Sequence, residues 1–362
     1  MEKSRIAIIG IEHIHAWNMF HEFDRYKDRI EWLGCADIPP AKGDIIESAE
    51  SRKARNLFDC NELKLYGDYK ELLDTQPDLV IVCSSIKNYP RIVEETLGRN
   101  INTLIEKPMA LTYEDGKRMY DAYKNSKAFF AVNWPVAWFP AFHKVKELID
   151  VGAVGKALRM YYRNPATFGP YDVGKYSTDE MLNMFWYHHS MGGGSSMDYA
   201  GYGCMLATWM FGKPAESALG MRKNFLLKFS DVEDYTAYVL DFGEQSAIIE
   251  GSWSTVNNGE IPTGPVIYGS DGVIVSDRYN SKVKVYKRYS HQNTQPDEVY
   301  DTVEWNKIKD GVAANVLDHL QYGKEVNKLI TPEFNLMALA ALDAGIRSSY
   351  SGVTEKTKFK EI

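Results

Sequence analysis

The chain has 362 residues, 44% of them hydrophobic, which suffices for about two domains that each bury a sizeable core. Its net charge of −7, from 49 acidic and 42 basic residues without a basic block, excludes a nucleic-acid-binding surface. The most apolar window, 128–142, is broken by Asn133, Pro135 and Pro140, and the charged start MEKS does not resemble a secretory leader, so a soluble, cytoplasmic protein with no membrane partner is expected. Cys35, Cys60, Cys83 and Cys204 show no CxxC spacing, so free thiols are expected rather than a metal site.

Arg5 to Ala16 (RIAIIGIEHIHA) reads as a strand, a tight turn at Gly10 and a helix start, the helix running to about Tyr26. Such a turn lies where the phosphates of a nucleotide sit, which makes Gly10, Glu12, His13 and Ile14 candidate cofactor contacts. Glu31 to Ala36 is a second strand ending at Asp37, where a carboxylate can accept both hydroxyls of an adenosine ribose. Leu79 to Cys83 (LVIVC) is continuously apolar, as in a central parallel strand covered on both faces, and Ser84 and Ser85 stand at its ligand-facing end. After a helix from Pro90 to Arg99, the strand Asn102 to Ile105 ends in Glu106-Lys107-Pro108, which projects Lys107 into the crevice. A helix over 113–124 and a strand over 128–132 complete a doubly wound α/β sheet, and the first domain is placed at 1–134.

Past Trp134 the alternation stops. After a helix over 139–151, strands are expected at 157–163, 217–228, 235–242, 246–253, 272–276 and 282–286, with a proline-initiated helix from Thr331 to about Tyr350. This is an α+β domain over 135–362 with a mixed or antiparallel open sheet. Gly192-Gly193-Gly194 precedes a helix on which Asp198 and Tyr202 stand one turn apart. His188 and His189 lie just before the glycines, and His189, Trp134, Trp138 and Trp186 are candidates to border a substrate cleft.

In their order, the Gly10 turn, Asp37, Glu106-Lys107-Pro108, the stretch Leu148 to Gly155 (LIDVGAVG), the GGG-x-x-x-D helix and the proline-initiated helix resemble the Gfo/Idh/MocA family of oxidoreductases. The resemblance implies a Rossmann first domain that binds NAD, and a sugar, cyclitol or related polyol over the second domain. It also implies that Lys107 lies near the nicotinamide and that Asp198 belongs to the substrate site. Two positions depart from the family. Its phosphate loop is G-x-G-x-x-G, and this chain keeps only Gly10, with Glu12 near the pyrophosphate and His13 and His15 as compensating donors; Tyr202 stands where the family has a histidine.

Oxidising a carbinol requires a group that removes the hydroxyl proton as the hydride leaves. Lys107 is expected as hydroxyl donor and electrostatic tuner, Tyr202 as proton acceptor or relay, and Asp198 as hydroxyl ligand or second relay member. Asp37 favours NAD over NADP, since a carboxylate repels a 2′-phosphate. The alternative is a non-catalytic ligand-sensing or regulatory protein that retains the fold. An exposed apolar sheet face would pair two or four copies in a homodimer or homotetramer.

Overall fold

The computed structural model describes residues 2–11, 13, 15–38, 63–165, 176–255, 262–277, 280–287, 295–302 and 311–359; Glu12, Ile14 and Cys60 lie outside the described residues. In the first domain β1 (Ser4–Ile9), β2 (Ile30–Ala36), β3 (Leu65–Tyr66), β4 (Leu79–Val82), β5 (Asn102–Glu106) and β6 (Phe130–Asn133) pair in parallel in the order β3-β2-β1-β4-β5-β6. The chain direction of the winding reverses between β1 and β4, and that reversal opens a crevice at the carboxyl ends of these strands. Ile6 to Ile9 and Leu79 to Val82 are fully buried, as continuous apolar strands under two helical layers should be. The first helix, α1 (His15–Asp24), is shorter than its apolar spacing suggests and buries Ala16, Met19, Phe20 and Phe23.

The second domain holds a sheet of nine described strands: β7 (Ala157–Pro165), β8 (Ser217–Lys223), β9 (Tyr235–Asp241), β10 (Ser246–Ser252), β11 (Val266–Gly269), β12 (Gly272–Asp277), β13 (Asn280–Lys287), β14 (Glu298–Asp301) and β15 (Glu355–Lys356). Its order is β14-β13-β12-β11-β7-β10-β9-β8-β15, and only β7 and β10 pair in parallel. The sheet is thus mixed and mostly antiparallel. β8 stops at Lys223 instead of Lys228 because Asp234 draws the next backbone into a turn, its carboxylate accepting from the N–H groups of Phe225, Leu226 and Leu227.

The helices Gly201–Phe211 and Pro332–Ser351 cover one face of this sheet. Their approach is close: a Cβ on Gly203 would lie 2.2 Å from Ile249 Cγ2, and one on Gly345 would lie 2.8 Å from Tyr238 Cδ2. The helix Pro332–Ser351 also packs on the first domain, where Gly116 admits Leu339. The helix Val312–Tyr322 is absent from the elements expected above, although Val312, Val316 and Leu317 stand at helical spacing before Gly323. It packs on α1, and Arg29 binds Asp318 at 2.9 Å and Gln321 at 2.9 Å.

Across the face that none of the described helices covers runs an apolar row. Leu219 pairs with Val239, Val239 with Ile248, Ile248 with Tyr161 and Tyr161 with Val266, one residue on each of five adjacent strands. The first four of these side chains are at least a third exposed, although Ala218, Leu240, Ile249 and Tyr162, their strand neighbours on the other face, are buried.

Candidate active site

Lys107 follows β5 directly, at the edge of the crevice, and reaches into the second domain. It is joined to Pro108 by a cis peptide. Its ammonium donates to Asp198 Oδ1 at 2.6 Å and to the Asp198 carbonyl at 3.2 Å, and it lies 4.5 Å from the centroid of the Tyr202 ring, over the ring face. Lys107 is 2% exposed and Asp198 7%, so both charges are withdrawn from water. Burial alone would pull the lysine pKa down; the Asp198 carboxylate, with Tyr202 and Glu106, outweighs it, and the ammonium is held above its ordinary value.

The backbone explains the meeting of these groups. Ser196 to Ala200 form one π-helical turn ahead of the regular helix Gly201–Phe211, a local widening common at functional sites. It sets Asp198 and Tyr202 on two sides of the Lys107 ammonium. Gly193 is required here: a Cβ would lie 2.1 Å from the Trp186 carbonyl oxygen. Gly194, at φ +102°, adopts a conformation that L side chains rarely enter.

Two further residues complete the surroundings. Trp253, at the end of β10 and fully buried, donates from its indole N–H to Asp198 Oδ2 at 3.1 Å, so both carboxylate oxygens are engaged. Nothing in the sequence marks it, since its partner is 55 residues away and the contact is purely tertiary. Asn133, at the end of β6, donates to Glu106 Oε1 at 2.8 Å.

Glu106 finds its side-chain partners within the first domain. Its Oε2 meets His15 Nδ1 at 3.0 Å, and burial, which would raise its pKa, is overcome by His15, Asn133 and Lys107, so the carboxyl lies below its usual range. His13 was expected to donate toward a pyrophosphate. Its Nδ1 accepts from the His15 backbone N–H at 3.0 Å, capping the start of α1, which leaves the proton of the neutral ring on Nε2. Its ring packs against Trp186 at 4.5 Å, and burial, then His15 and Lys107, hold its pKa well below 6.5, so it is a neutral cap.

The other candidates divide. Gly10, at φ +80°, makes the tight turn beside Ser84; a Cβ there would stand 2.6 Å from Ser84 Cβ. Ser85 Oγ accepts from Asn88, and Asp37 follows β2 directly with its Oδ1 accepting from the Ile38 N–H at 3.0 Å. These positions fit a dinucleotide laid over β1 and β2: a glycine turn, a helix start and a carboxylate at the second strand tip. Trp134 is brought to Tyr202, ring to ring at 5.4 Å, with its indole N–H held by Asn335, which makes it a buried wall behind the ring. Trp138 turns to the other side and donates to Asn133. His189 is not brought to Lys107; its ring pairs with the Tyr350 hydroxyl and its backbone N–H with Asp231.

A six-stranded parallel sheet in this order, joined to an open mixed sheet that delivers a carboxylate to a strand-end lysine, defines a two-domain dinucleotide-binding oxidoreductase fold. Residues 4–134 match the model of an oxidoreductase family with an NAD-binding Rossmann fold, and residues 142–275 match the GFO/IDH/MocA C-terminal domain. The chain belongs to the GFO/IDH/MocA oxidoreductase family.

Among similar proteins, the trans-1,2-dihydrobenzene-1,2-diol dehydrogenase of Xenopus laevis is 24% identical over 250 residues, 67% of this chain and 69% of that protein. The myo-inositol 2-dehydrogenase of Thermotoga maritima is 31% identical over 124 residues, but the match spans only 33% of this chain and 37% of that enzyme. The WlbA dehydrogenase from Bordetella pertussis, solved with NADH and UDP-GlcNAcA, superposes with a TM-score of 0.75 over 99% of this chain and 100% of that one, at 18% identity.

Proposed function

We propose that this chain is an NAD-dependent dehydrogenase that transfers a hydride between the nicotinamide and a carbinol carbon of a sugar, cyclitol or related polyol. The observation that carries the reading is the buried Lys107–Asp198 pair at 2.6 Å, set at the carboxyl end of β5 on the rim of the dinucleotide crevice. A bound nicotinamide supplies the hydride acceptor or donor.

The protein's part is to orient the hydroxyl and handle its proton. Lys107, held as an ammonium by Asp198, donates a hydrogen bond to the substrate oxygen and stabilises the negative charge that grows there as the carbon–hydrogen bond breaks. Asp198 is the neighbouring acceptor through which the hydroxyl proton leaves. Tyr202 was expected to take that proton; the ring face that it turns to Lys107 supports a different role, a cation–π floor under the ammonium. Asp37 selects NAD, and NADP is the weaker cofactor.

Titration with NADH and with NADPH, followed by energy transfer from tryptophan to the reduced nicotinamide, tests the reading before any substrate is known. Saturable binding with NADH preferred by tenfold or more is expected, followed by turnover of a polyol in a screen. Absence of binding by either cofactor would sink the dehydrogenase and favour a ligand sensor.

The chain further pairs with a second copy through the uncovered face of its large sheet, where the row Leu219, Val239, Ile248 and Tyr161 is too apolar to remain in water. Sedimentation is expected to show a dimer or tetramer, and Val239→Asp to shift it toward monomer; a wild-type monomer at micromolar concentration would contradict this.

A further inference from the structure

We propose that Trp253 is a positioning residue of this site: its indole N–H fixes the second oxygen of Asp198 so that the first faces the Lys107 ammonium. The inference rests on the dehydrogenase reading, in which Lys107 meets the substrate hydroxyl.

Lys107 reaches both the Asp198 carbonyl and its carboxylate, but the other groups that hold the turn and the carboxylate are different. The π-helical turn is fixed from beneath: the hydroxyls of Ser195 and Ser196 each share a hydrogen bond of 2.9 Å with Thr236, Glu233 Oε1 accepts from the Ser196 N–H at 2.9 Å, and Gly251 lets β10 approach Ala200. None of these contacts reaches the Asp198 side chain. The carboxylate is held by Lys107 on Oδ1 and Trp253 on Oδ2. With a donor on each oxygen, rotation about the terminal bond breaks both contacts at once.

Trp253 is itself built in. It is fully buried in a cluster apart from the main core, with Met181, Phe185, Tyr187 and Leu227, and its ring meets Tyr187 edge-on at 6.2 Å and Tyr199 at 6.4 Å. Its backbone N–H donates to the Asp234 carbonyl at 2.7 Å, the same Asp234 whose carboxylate gathers the turn at 225–227. A line of fixed contacts therefore runs from that turn through Trp253 and Asp198 to Lys107. Packing alone would be satisfied by phenylalanine; the indole adds one donor, aimed at the one carboxylate that faces the lysine.

Removing that donor leaves Oδ2 buried without a partner and lets the carboxylate swing away from Lys107. The ammonium then keeps the burial that disfavours it and loses part of the charge that offsets it. The test compares full-length wild type, Trp253→Phe and Trp253→benzothienylalanine, an isostere that keeps the bicyclic shape and lacks only the N–H. Lys107 ionisation is read from the pH dependence of its acetylation by trace acetic anhydride between pH 7 and 11, quantified by mass spectrometry of the peptide that contains it. A purely packing role would leave this readout in place in the isostere.

Both variants are expected to label Lys107 at least tenfold more than wild type at a pH below the wild-type midpoint, with Asp198→Asn shifted further. Should Trp253→Phe fail to fold, the isostere carries the comparison. Wild-type labelling in the isostere, together with a shift in Asp198→Asn, would overturn the inference. The dehydrogenase reading is decided separately by NADH binding to the wild type: loss of that reading leaves the labelling result to say whether Trp253 holds the pair, and a failed labelling test leaves NADH binding untouched.

Discussion

Glu106 and Lys107 are neighbours in the chain, both charged and almost wholly buried, yet they are neutralised in opposite ways. Glu106 turns into its own domain, where His15 from α1 and Asn133 from β6 take its two oxygens. Lys107 turns outward and finds its partners, Asp198 and Tyr202, only in the second domain. Alternation along β5 separates the two side chains, so one strand end serves both as a tie for the dinucleotide turn and as the point where the domains meet. The tie on the first side closes within residues 13–133, whereas the second side exists only when both domains are folded and docked.

The largest effects should therefore come from the interdomain side. Asp198→Ala leaves a buried ammonium without its carboxylate, and a loss of about 3–5 kcal/mol in denaturant unfolding is expected, together with a fall in turnover of about 10²–10⁴. Replacing both charges, as Lys107→Met with Asp198→Leu, should restore most of the stability and none of the turnover, because well-packed apolar groups often substitute for a buried pair without loss. Glu106→Gln, which keeps hydrogen-bonding capacity on its own side, should cost less, about 1–3 kcal/mol. Equal costs for Asp198→Ala and Glu106→Gln would erase the distinction between the two sides.

How much of this could be read beforehand depends on the range of the interaction. The runs at Ile6–Ile9 and Leu79–Val82 were legible because a strand covered on both faces admits nothing polar, and Gly10 because only glycine tolerates that turn against Ser84. Lys107 and Asp198 were legible as two halves of one motif, although their distance apart in space was not. The π-helical turn at Ser196–Ala200 was read as ordinary helix, since one added residue in a turn leaves no mark on a 3.6-residue spacing over so short a stretch. The cap formed by His13 is unmarked for a related reason: a histidine at a helix start suggests a donor, and only the direction of the His15 N–H shows that Nδ1 accepts. Trp253 carries no local signal at all.

The neutral His13 sharpens the comparison on the Glu106 side. Its folded pKa lies well below the ordinary 6.5, so above about pH 6.5 neither the folded nor the unfolded chain protonates it and its contribution is complete. As pH falls below that value the unfolded chain gains a proton that the folded chain refuses, and stability should drop by about 1.4 kcal/mol per pH unit until the folded ring also ionises. His13→Asn keeps an acceptor for the His15 N–H and removes the titration. Unfolding free energies measured from pH 7.5 to 5 should diverge by that slope, wild type losing more; parallel curves would show that His13 titrates alike in the folded and unfolded chain.

The smallest effect is expected at Tyr202, and it separates two roles for the same side chain. If the ring is the floor under Lys107, Tyr202→Phe keeps the face that the ammonium touches, and turnover of a polyol identified in the screen should remain within about threefold, since a cation–π contact of ~0.5–2 kcal/mol is largely retained. Tyr202→Leu removes that face and should lower the pH at which Lys107 deprotonates, because the cation–π contact that favours the ammonium is lost. A proton acceptor behaves differently: Phe and Leu would abolish turnover alike, whatever their effect on Lys107. The hydroxyl matters to chemistry only in that second case, and a profile in which Phe resembles wild type while Leu does not assigns the work to the ring.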